Sequence, residues 1–335
     1  MLVGICDFPS QYEFPARGYG GIERWLWAVA VGAKRAGADV HLLGPQWRTD
    51  LGGDWVRRPI RLEDSSDAAH LRADGYDLLI AGHEYPSLPA WRRIADQLDA
   101  DVATFQHWPH FTHQPEAFDG TRRRLYCYSA EMVARYAQHQ PTQELAVHLG
   151  HGEVEPAAVG GDDLVWLGRI DADKAPHLAI AAAGLLGRRI TVVGPIFDQF
   201  YVDRYRRLFD AAHVTMAGEL GGAAKVDALA RASALVYTTA PDYIEAGAAV
   251  FGESLRSGTP VAALTWRTGT CADAALCADT GRVALIAPDA DDSVAALALA
   301  EAITAVTDLK ASAVQEIGQS RFDPARHFAA LARRP

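Results

Sequence analysis

Short apolar runs alternate with stretches of helical periodicity along almost the whole chain. The run Leu2–Phe8 has the length and apolar character of a buried strand. From Ile22 to Ala36 apolar residues recur at helical spacing, and Gly37 ends that pattern. The apolar run Val40–Leu43 then predicts a second strand. A strand, a glycine-rich turn, a helix and a second strand make one βαβ unit.

The same alternation continues towards the C-terminus and predicts an α/β fold. Further strands are expected at 77–82, 102–106, 125–129, 164–168, 190–194, 214–217, 235–239, 261–264 and 283–286. Helical periodicity recurs at 91–98, 174–186, 197–212, 223–232 and 293–306. Strands separated by helices imply parallel sheets with both faces covered, and ligands then bind beyond the carboxyl ends of the strands. His83 and His107 follow two of these strands.

The alternation falls into two successive halves. A length of 335 residues suffices for two domains of about 150 residues each. The pattern is interrupted near His151, where glycine, proline and acidic residues follow one another. We therefore predict a first Rossmann-like domain at residues 1–150 and a second at 151–320, with the chemistry in the cleft between them.

Charge and composition narrow the classes of function. The net charge of -10 argues against a general nucleic-acid binder and against a basic membrane-surface enzyme. No stretch approaches the roughly 20 apolar residues that a membrane span requires. Met1 leads straight into an apolar run without a basic leader, and the four cysteines have no zinc or redox spacing. We expect a cytoplasmic protein without a nucleic-acid partner or a transmembrane segment.

The first candidate site is the glycine turn before the first predicted helix. Its sequence, Gly-Tyr-Gly-Gly-Ile-Glu from Gly18 to Glu23, is close to a dinucleotide-binding fingerprint. Glu23 stands where that fingerprint needs a small residue, which disfavours an NAD-linked dehydrogenase. No lysine follows, so the turn is not a P-loop. It either brings backbone N–H groups close to a phosphate or simply makes a tight connection.

The second candidate is the segment Gly168–Lys174, Gly-Arg-Ile-Asp-Ala-Asp-Lys. The segment follows a predicted strand and opens a predicted helix, so Arg169 and Lys174 lie at the carboxyl end of that strand. Two cations beside a helix N-terminus would neutralise a diphosphate, and arginine can bind it through two N–H groups. Taken alone, the segment fits two solvated surface charges better.

The third candidate contains two glutamates, Glu245 and Glu253, on either side of a small-residue turn and an apolar run. A helix is predicted to begin near Gly247 or Ala248 and to end at the Gly-Thr-Pro sequence that follows. One carboxylate before the helix and one within it could hold the sugar parts of a phosphorylated ligand. On these residues alone, a capped surface helix with two solvated glutamates is the favoured interpretation.

Three histidines, His107, His110 and His113, lie close together in the sequence. Pro109 argues against a regular helix, so their spacing does not stack the rings on one face. We therefore expect no metal site. His107 ends a predicted strand and is expected to be an active-site imidazole, and the other two are expected to be structural histidines.

Together these segments resemble the family 4 glycosyltransferases, retaining enzymes of the GT-B fold. The resemblance is carried by Gly20-Gly21 after the first strand, the G-R-x-x-x-x-K of Gly168–Lys174, and the E-x7-E of Glu245 and Glu253. The Gly-Thr-Pro-Val that follows fits as well, and the order and separation of the motifs match over nearly the whole chain. The motif variants and the short length resemble compact bacterial members, some of which serve antibiotic or cell-surface glycan pathways.

The resemblance implies an α/β chain of GT-B architecture, with two Rossmann-like parallel-sheet domains facing a central cleft. A C-terminal helix at 321–335 would pack back on the first domain. The implied enzyme is a metal-independent retaining glycosyltransferase without a cofactor. Its donor would be a nucleotide-diphosphate sugar, with UDP favoured over GDP, and its acceptor a soluble small molecule or glycan.

The resemblance also implies roles for individual residues. Arg169 and Lys174 would bind the diphosphate and stabilise the negative charge that grows on the leaving group. Glu253 would bind the ribose, Glu245 would face the donor sugar, and His107 would lie beside sugar and acceptor. Backbone groups that would complete the donor site are those of Gly20, Gly21, Gly168, Gly247 and Ala248. Acceptor contacts are expected from Tyr19, His83, Glu84 and Trp108.

One departure from the family pattern and two alternative functions stay open. Many members carry Phe-Gly two residues after the first glutamate, where this chain has Gly247-Ala248. Which amides touch the phosphate, and which sugar fits, is therefore open. The alternatives are a nucleotide-sugar epimerase of the same architecture and a non-catalytic nucleotide-sugar-binding protein. The presence of both the cation pair and the glutamate pair argues against the second.

Overall fold

The computed structural model describes residues 1–64, 69–72, 74–82, 85–110, 118, 122–143 and 158–333. The chain forms two compact units, one of Met1–Gly152 with Asp323–Pro335 and one of Glu153–Phe322. Each unit is built on a parallel sheet with helices packed against it. The predicted α/β class with two Rossmann-like halves is therefore confirmed.

The described part of the first unit contains a seven-stranded parallel sheet in the order β3-β2-β1-β4-β5-β6-β7. The strands are β1 (Leu2–Cys6), β2 (Asp39–Leu43), β3 (Val56–Arg58), β4 (Leu78–Gly82), β5 (Asp101–Phe105), β6 (Arg123–Cys127) and β7 (Thr142–Gln143). Strand β1 lies in the interior of the sheet, since Val3 pairs with Val40 of β2 on one side and with Leu78 of β4 on the other. The strand order reverses between β1 and β4, which is where open α/β sheets bind ligands.

The described residues before the second unit form four α-helices, of which α1 packs against β1, β2 and β4. Residues Trp25, Leu26, Val29 and Ala33 of α1 are buried at helical spacing, as the sequence predicts. The helices are α1 (Gly21–Arg35), α2 (Ala69–Arg72), α3 (Pro89–Leu98) and α4 (Ala130–Arg135). Single 3₁₀ turns lie at Tyr85–Ser87 and Ala137–His139.

The second unit contains a six-stranded parallel sheet in the order β10-β9-β8-β11-β12-β13. The strands are β8 (Leu164–Leu167), β9 (Ile190–Val193), β10 (Val214–Gly218), β11 (Ala234–Tyr237), β12 (Val261–Thr265) and β13 (Gly281–Leu285). The strand order reverses between β8 and β11, which are direct neighbours through Leu164 and Ala234. This reversal places the loops after β8 and β11 side by side at one edge of the sheet.

The described residues of the second unit form eight α-helices, and in one segment they differ from the predicted pattern. The sequence predicts a single helix over 197–212, whereas the structure has two short helices separated at Tyr205, whose ψ of 20° departs from helical geometry. The helices are α5 (Pro176–Leu185), α6 (Gln199–Arg204), α7 (Arg206–Phe209), α8 (Gly222–Ala230), α9 (Ala249–Arg256), α10 (Cys271–Ala275), α11 (Asp292–Val306) and α12 (Ala311–Arg321).

The last helix, α13 (Pro324–Ala332), belongs to the first unit and packs against α1. The two helices approach so closely that a Cβ atom at Gly32 would lie 2.1 Å from the carbonyl oxygen of Pro324. The indole N–H of Trp25 donates to Nε2 of His327 at 3.0 Å in the buried interface. Burial lowers the pKa of His327 to about 3. The helix is therefore held by both close packing and a buried hydrogen bond.

Candidate active site

An ion pair lies at the point where the strand order of the second sheet reverses. Lys174 follows β8 and Glu245 follows β11, and Nζ of the lysine pairs with Oε2 of the glutamate. Both side chains are mostly buried, with 15% and 14% of their surfaces exposed. The ammonium also lies 4.9 Å from the centre of the Tyr243 ring. A cation at this edge is thus shielded and held between a carboxylate and an aromatic face.

The loop after β8 holds its second cation between two carboxylates. Arg169 Nε lies 3.1 Å from Asp171 Oδ2, and Arg169 Nη2 lies 3.4 Å from Asp173 Oδ2. Asp171 also accepts the backbone N–H of Lys174 at 3.0 Å. Burial raises the pKa of Asp171, and this hydrogen bond opposes that shift. The guanidinium lies 5.6 Å from the Phe197 ring centre, so its orientation is set by these neighbours.

Hydrogen bonds join the loops after β8 and β11 into one rigid edge. The hydroxyl of Thr238 donates to the Lys174 carbonyl at 2.7 Å and accepts the indole N–H of Trp166 at 2.9 Å. The N–H of Ala240 donates to the Asp173 carbonyl at 2.8 Å. Since these bonds fix the backbone on both sides, the Lys174–Glu245 pair is preorganised by the fold.

Helix α5 begins at Pro176, two residues after Lys174, and its amino end lies at the edge of the second sheet that carries the ion pair. Ala175 has φ 45° and ψ 48°, which turns the chain sharply before Pro176 opens the helix. Proline suits the first helical position because its missing N–H would have no partner within the helix. The His177 N–H of this first turn donates to the Tyr201 hydroxyl at 3.2 Å, so this end of α5 favours an anion through its helix dipole.

The loop that carries Glu245 is held by hydrogen bonds from two residues that directly follow β12. The Trp266 indole donates to the Thr239 carbonyl at 2.6 Å, and Arg267 donates to the carbonyls of Pro241 and Tyr243. Sequence reasoning did not single out these anchors, because they lie more than twenty residues away from the loop.

Helix α9 starts at Ala249 with Ala248 as its N-cap, one residue from the predicted start. The N-cap residue Ala248 has no side chain that could cap this end of the helix. At the other end Gly258 has φ 81°, and a Cβ there would lie 2.8 Å from the carbonyl oxygen of Ala311. Both the backbone conformation and the close packing therefore favour glycine at position 258.

Glu253 lies within α9 and pairs with a residue that sequence reasoning missed. Its Oε1 forms an ion pair with Nζ of Lys225, on α8, and the two side chains have only 1% and 5% of their surfaces exposed. Position 225 falls on the same buried stripe of α8 as Val226 and Leu229. A lysine on the apolar face of a helix is unusual, and this placement is the feature of the sequence that could have identified Lys225 as a site residue.

Gly168 is explained by packing as well as by its place in the motif. Its N–H donates to the Val193 carbonyl at 3.0 Å. A Cβ at Gly168 would lie 3.0 Å from the Trp166 ring, and one at Gly194 would lie 1.8 Å from the Gly168 carbonyl oxygen. The glycine lets β8 and β9 end close together beside Arg169.

The glycine turn of the first unit lies at the carboxyl end of β1, and a carboxylate lies beside it. Gly20 has φ 138° and is the N-cap of α1, and a Cβ there would lie 3.1 Å from Glu23 Oε2. Glu23 is buried and accepts the Ser10 hydroxyl at 2.5 Å. The space at Gly21 is open, since a Cβ there would meet nothing within 4 Å. Glu23 interacts favourably with the helix dipole and offsets part of the positive potential at the turn.

His107 follows β5 and packs among aromatic rings of the first unit. Its Nδ1 lies 3.2 Å from the Tyr128 hydroxyl, and its ring centre lies 4.8 Å from that of Trp25. Next to it, Trp108 is 44% exposed, and its carbonyl accepts the Tyr136 hydroxyl at 2.6 Å. The two residues therefore present a fixed imidazole and a solvent-facing indole at one end of the sheet.

The other predicted residues of the first unit are distributed as follows. The ring of Tyr19 lies 6.2 Å from that of Tyr12 in an edge-to-face arrangement. His110 lies 6.0 Å from Trp108, ring centre to ring centre. The predicted residues His83, Glu84 and His113 lie outside the described residues.

No three His, Cys, Asp or Glu side chains within the described ranges lie in a group that could hold a metal ion. Among those same residues, no helix is both long enough and apolar enough to cross a bilayer.

Comparison with known proteins gives a match at the level of structure. No family model matches the sequence, and no curated protein matches it either. AviGT4, a glycosyltransferase involved in avilamycin A biosynthesis, superposes with a TM-score of 0.76 at 20% identity, covering 98% of this chain and 95% of that one. The chain has the GT-B fold.

Other GT-B structures match over nearly the full length of both chains. HepE of Anabaena, solved with UDP and glucose, has a TM-score of 0.65 at 16% identity, covering 99% of this chain and 98% of its own. WaaG, a glycosyltransferase involved in lipopolysaccharide biosynthesis, has a TM-score of 0.61 at 15% identity, covering 99% and 100%. At these identities, the likeness of the present chain to both proteins is one of GT-B fold.

Proposed function

We propose that this protein is a glycosyltransferase that moves a sugar from a nucleotide-diphosphate sugar to a hydroxyl of an acceptor. The observation that carries the proposal is the Lys174–Glu245 ion pair at the point where the strand order of the second sheet reverses. Arg169 lies in the same loop as Lys174. The likeness to HepE, solved with UDP and glucose and with UDP-glucose, supports this assignment and favours UDP.

Arg169 and Lys174 would act on the leaving group. As the bond from the anomeric carbon to the diphosphate breaks, negative charge grows on the phosphate oxygens. Two cations beside the amino end of α5 would stabilise that charge more strongly in the transition state than in the ground state. Both cations are held by carboxylates in the structure, so a diphosphate would exchange one set of anionic partners for another.

The glutamates would bind the two sugars of the donor. Glu245 would accept hydrogen bonds from the transferred sugar, and Glu253 from the ribose. Backbone amides at Gly247 and Ala248 would bind phosphate oxygens, since no side chain caps the amino end of α9. The positive charge needed at the diphosphate would come from Arg169 and Lys174, so the proposed reaction needs no metal ion.

The acceptor would bind at the carboxyl ends of the first sheet. Tyr19 and the exposed Trp108 offer aromatic surface on which a sugar ring or another flat group can stack. His107, fixed by Tyr128, would lie near the reacting hydroxyl. In the proposed retaining reaction the acceptor attacks from the face that the diphosphate leaves, and the diphosphate takes up its proton.

The proposed setting is a cytoplasmic enzyme of carbohydrate biosynthesis in a bacterium. AviGT4 is involved in making an antibiotic and WaaG in making lipopolysaccharide. An acceptor from an antibiotic or a cell-surface glycan pathway is proposed for this chain by that analogy of fold.

Two measurements test the proposal. Calorimetric titration with UDP, GDP and ADP should show binding of one nucleoside diphosphate, and no binding of any would contradict the donor assignment. Incubation with UDP- and GDP-sugars should then release nucleotide only when an acceptor is present. An isomerised nucleotide-sugar formed without acceptor would favour an epimerase instead. The anomeric coupling constant of the product, measured by NMR, reports retention or inversion.

A further inference from the structure

The buried pair between Lys225 and Glu253 is the most enclosed ion pair that the structure describes in the second unit. Glu253 has no exposed surface as a residue, and Lys225 is 4% exposed. Removing two charges from water costs several kcal/mol for each ion, and the mutual attraction recovers this only with good geometry. A pair of apolar residues would fill the same space at no such cost. Stability alone therefore gives a weak reason for these charges.

The elements around the pair hold its two partners at a fixed separation. The Thr259 hydroxyl, just beyond α9, donates to the Leu229 carbonyl on α8, one helical turn from Lys225. The hydroxyl of Ser254, on α9, donates to the Thr259 carbonyl at 2.8 Å. These bonds fix α8 against the end of α9, so the lysine side chain is directed at the glutamate by the backbone.

The lysine supplies two things that a carboxylate acting as a ligand group requires. An ammonium beside a buried carboxylate offsets part of the cost of burying that negative charge. The ammonium also occupies one oxygen of Glu253, Oε1, and so fixes the rotation of the carboxylate. A hydroxyl bound by a charged and oriented oxygen is held about twice as strongly as one bound by a neutral group.

We propose that Lys225 is a positioning residue of the donor site, which orients the carboxylate of Glu253 so that the nucleotide is recognised through its ribose hydroxyls. This inference rests on the proposed function, because it takes Glu253 as the ribose ligand. It goes further in assigning the discrimination between ribose and a deoxygenated sugar to a pair on α8 and α9, instead of to Glu253 alone.

The test compares the binding of UDP and of 2′,3′-dideoxy-UDP by calorimetry. The wild-type chain should bind UDP more tightly by roughly 10- to 100-fold, the range for losing hydrogen bonds to a charged group. Lys225→Met removes the charge at nearly constant volume and should reduce that ratio to near one. Lys225→Arg, which retains the charge, should keep most of the wild-type affinity ratio. Arg231→Met is the matched control, since it removes a cation from an exposed pair with Asp227 on the same helix.

Each outcome bears on a different claim. A folded Lys225→Met variant that keeps the wild-type ratio overturns this inference and leaves the proposed function standing. A wild-type chain that binds no nucleoside diphosphate overturns the proposed function and this inference with it. If Lys225→Met does not fold, Lys225→Gln takes its place, because glutamine still donates an N–H but carries no charge. A ratio unchanged in folded Lys225→Gln counts against the inference in the same way.

Discussion

Lys174 and Glu245 are 71 positions apart in the sequence and form an ion pair in the fold. Each ends a loop after one of two neighbouring parallel strands, β8 and β11, and backbone hydrogen bonds join those loops. The pair concentrates one positive and one negative charge at the edge where an α/β sheet binds its ligand. The first prediction follows from its position.

Replacement of Lys174 by methionine should slow the reaction far more than it weakens the fold. Loss of one stabilising group at a developing charge typically lowers turnover by about 10²- to 10³-fold. The measurement is the rate of nucleotide release with an acceptor, alongside the thermal midpoint. The matched control is Lys310→Met, because Lys310 is exposed at the start of α12. Wild-type turnover in Lys174→Met would remove the lysine from the diphosphate site.

Replacement of Trp108 by alanine should affect the acceptor and leave the donor untouched. The indole is 44% exposed, and its loop is held through the backbone carbonyl, so the substitution removes stacking surface and leaves that backbone hydrogen bond in place. We expect KM for the acceptor to rise by about tenfold, in line with about 1–3 kcal/mol for stacking on an aromatic ring. The Kd for UDP should not change.

The control for this substitution is Phe200→Ala, which removes an 88% exposed aromatic side chain from the second unit. Equal effects of the two substitutions on the acceptor KM would show that Trp108 has no specific role. A weaker UDP affinity in Trp108→Ala would place the indole at the donor instead.

Replacement of Gly258 by alanine should destabilise the second unit. Its φ of 81° disfavours a side chain, and the added methyl group would lie 2.7 Å from the Ala158 Cβ. We expect a loss of about 2–4 kcal/mol, combining backbone strain with overpacking. Gly187→Ala is the matched control, since φ is 63° there but a Cβ would meet nothing within 4 Å. Urea unfolding of the two variants separates the packing contribution from the backbone contribution.

The buried His327 should make stability depend on pH. Burial lowers the pKa of His327 to about 3 in the folded protein, against 6.5 for an ordinary histidine. The unfolded chain therefore takes up the proton first as pH falls. This contribution to stability is complete above about pH 6.5 and declines by about 1.4 kcal/mol per pH unit towards pH 3.

The comparison that isolates this effect is wild type against His327→Gln, which retains an acceptor for the Trp25 indole. Unfolding free energies measured at pH 7.5, 6 and 5 should converge between the two proteins as pH falls. Parallel pH profiles would mean that His327 does not titrate as its burial requires.

Much of the fold follows from local sequence. The apolar runs predict the strands at the centres of both sheets, and the spacing from Ile22 to Ala36 predicts α1, since both patterns reflect burial on one face or on two. The predicted helix over 197–212 is divided at Tyr205, where a ψ of 20° interrupts the helix at a point that the apolar periodicity does not mark. The edge strands β3 and β7 were not predicted, since they are short and largely polar.

The candidate site divides in the same way. The sequence by itself determined which residues carry charge at the ends of strands, because glycine, arginine, lysine and glutamate at those points reflect local turn chemistry and ligand chemistry. Only the tertiary structure decided which of them meet. Lys174 finds Glu245 through the neighbouring strands β8 and β11, and Lys225 finds Glu253 through the packing of α8 on α9. Electrostatic interactions depend on distance in space, and a linear sequence specifies that distance only after its strands have been ordered into a sheet.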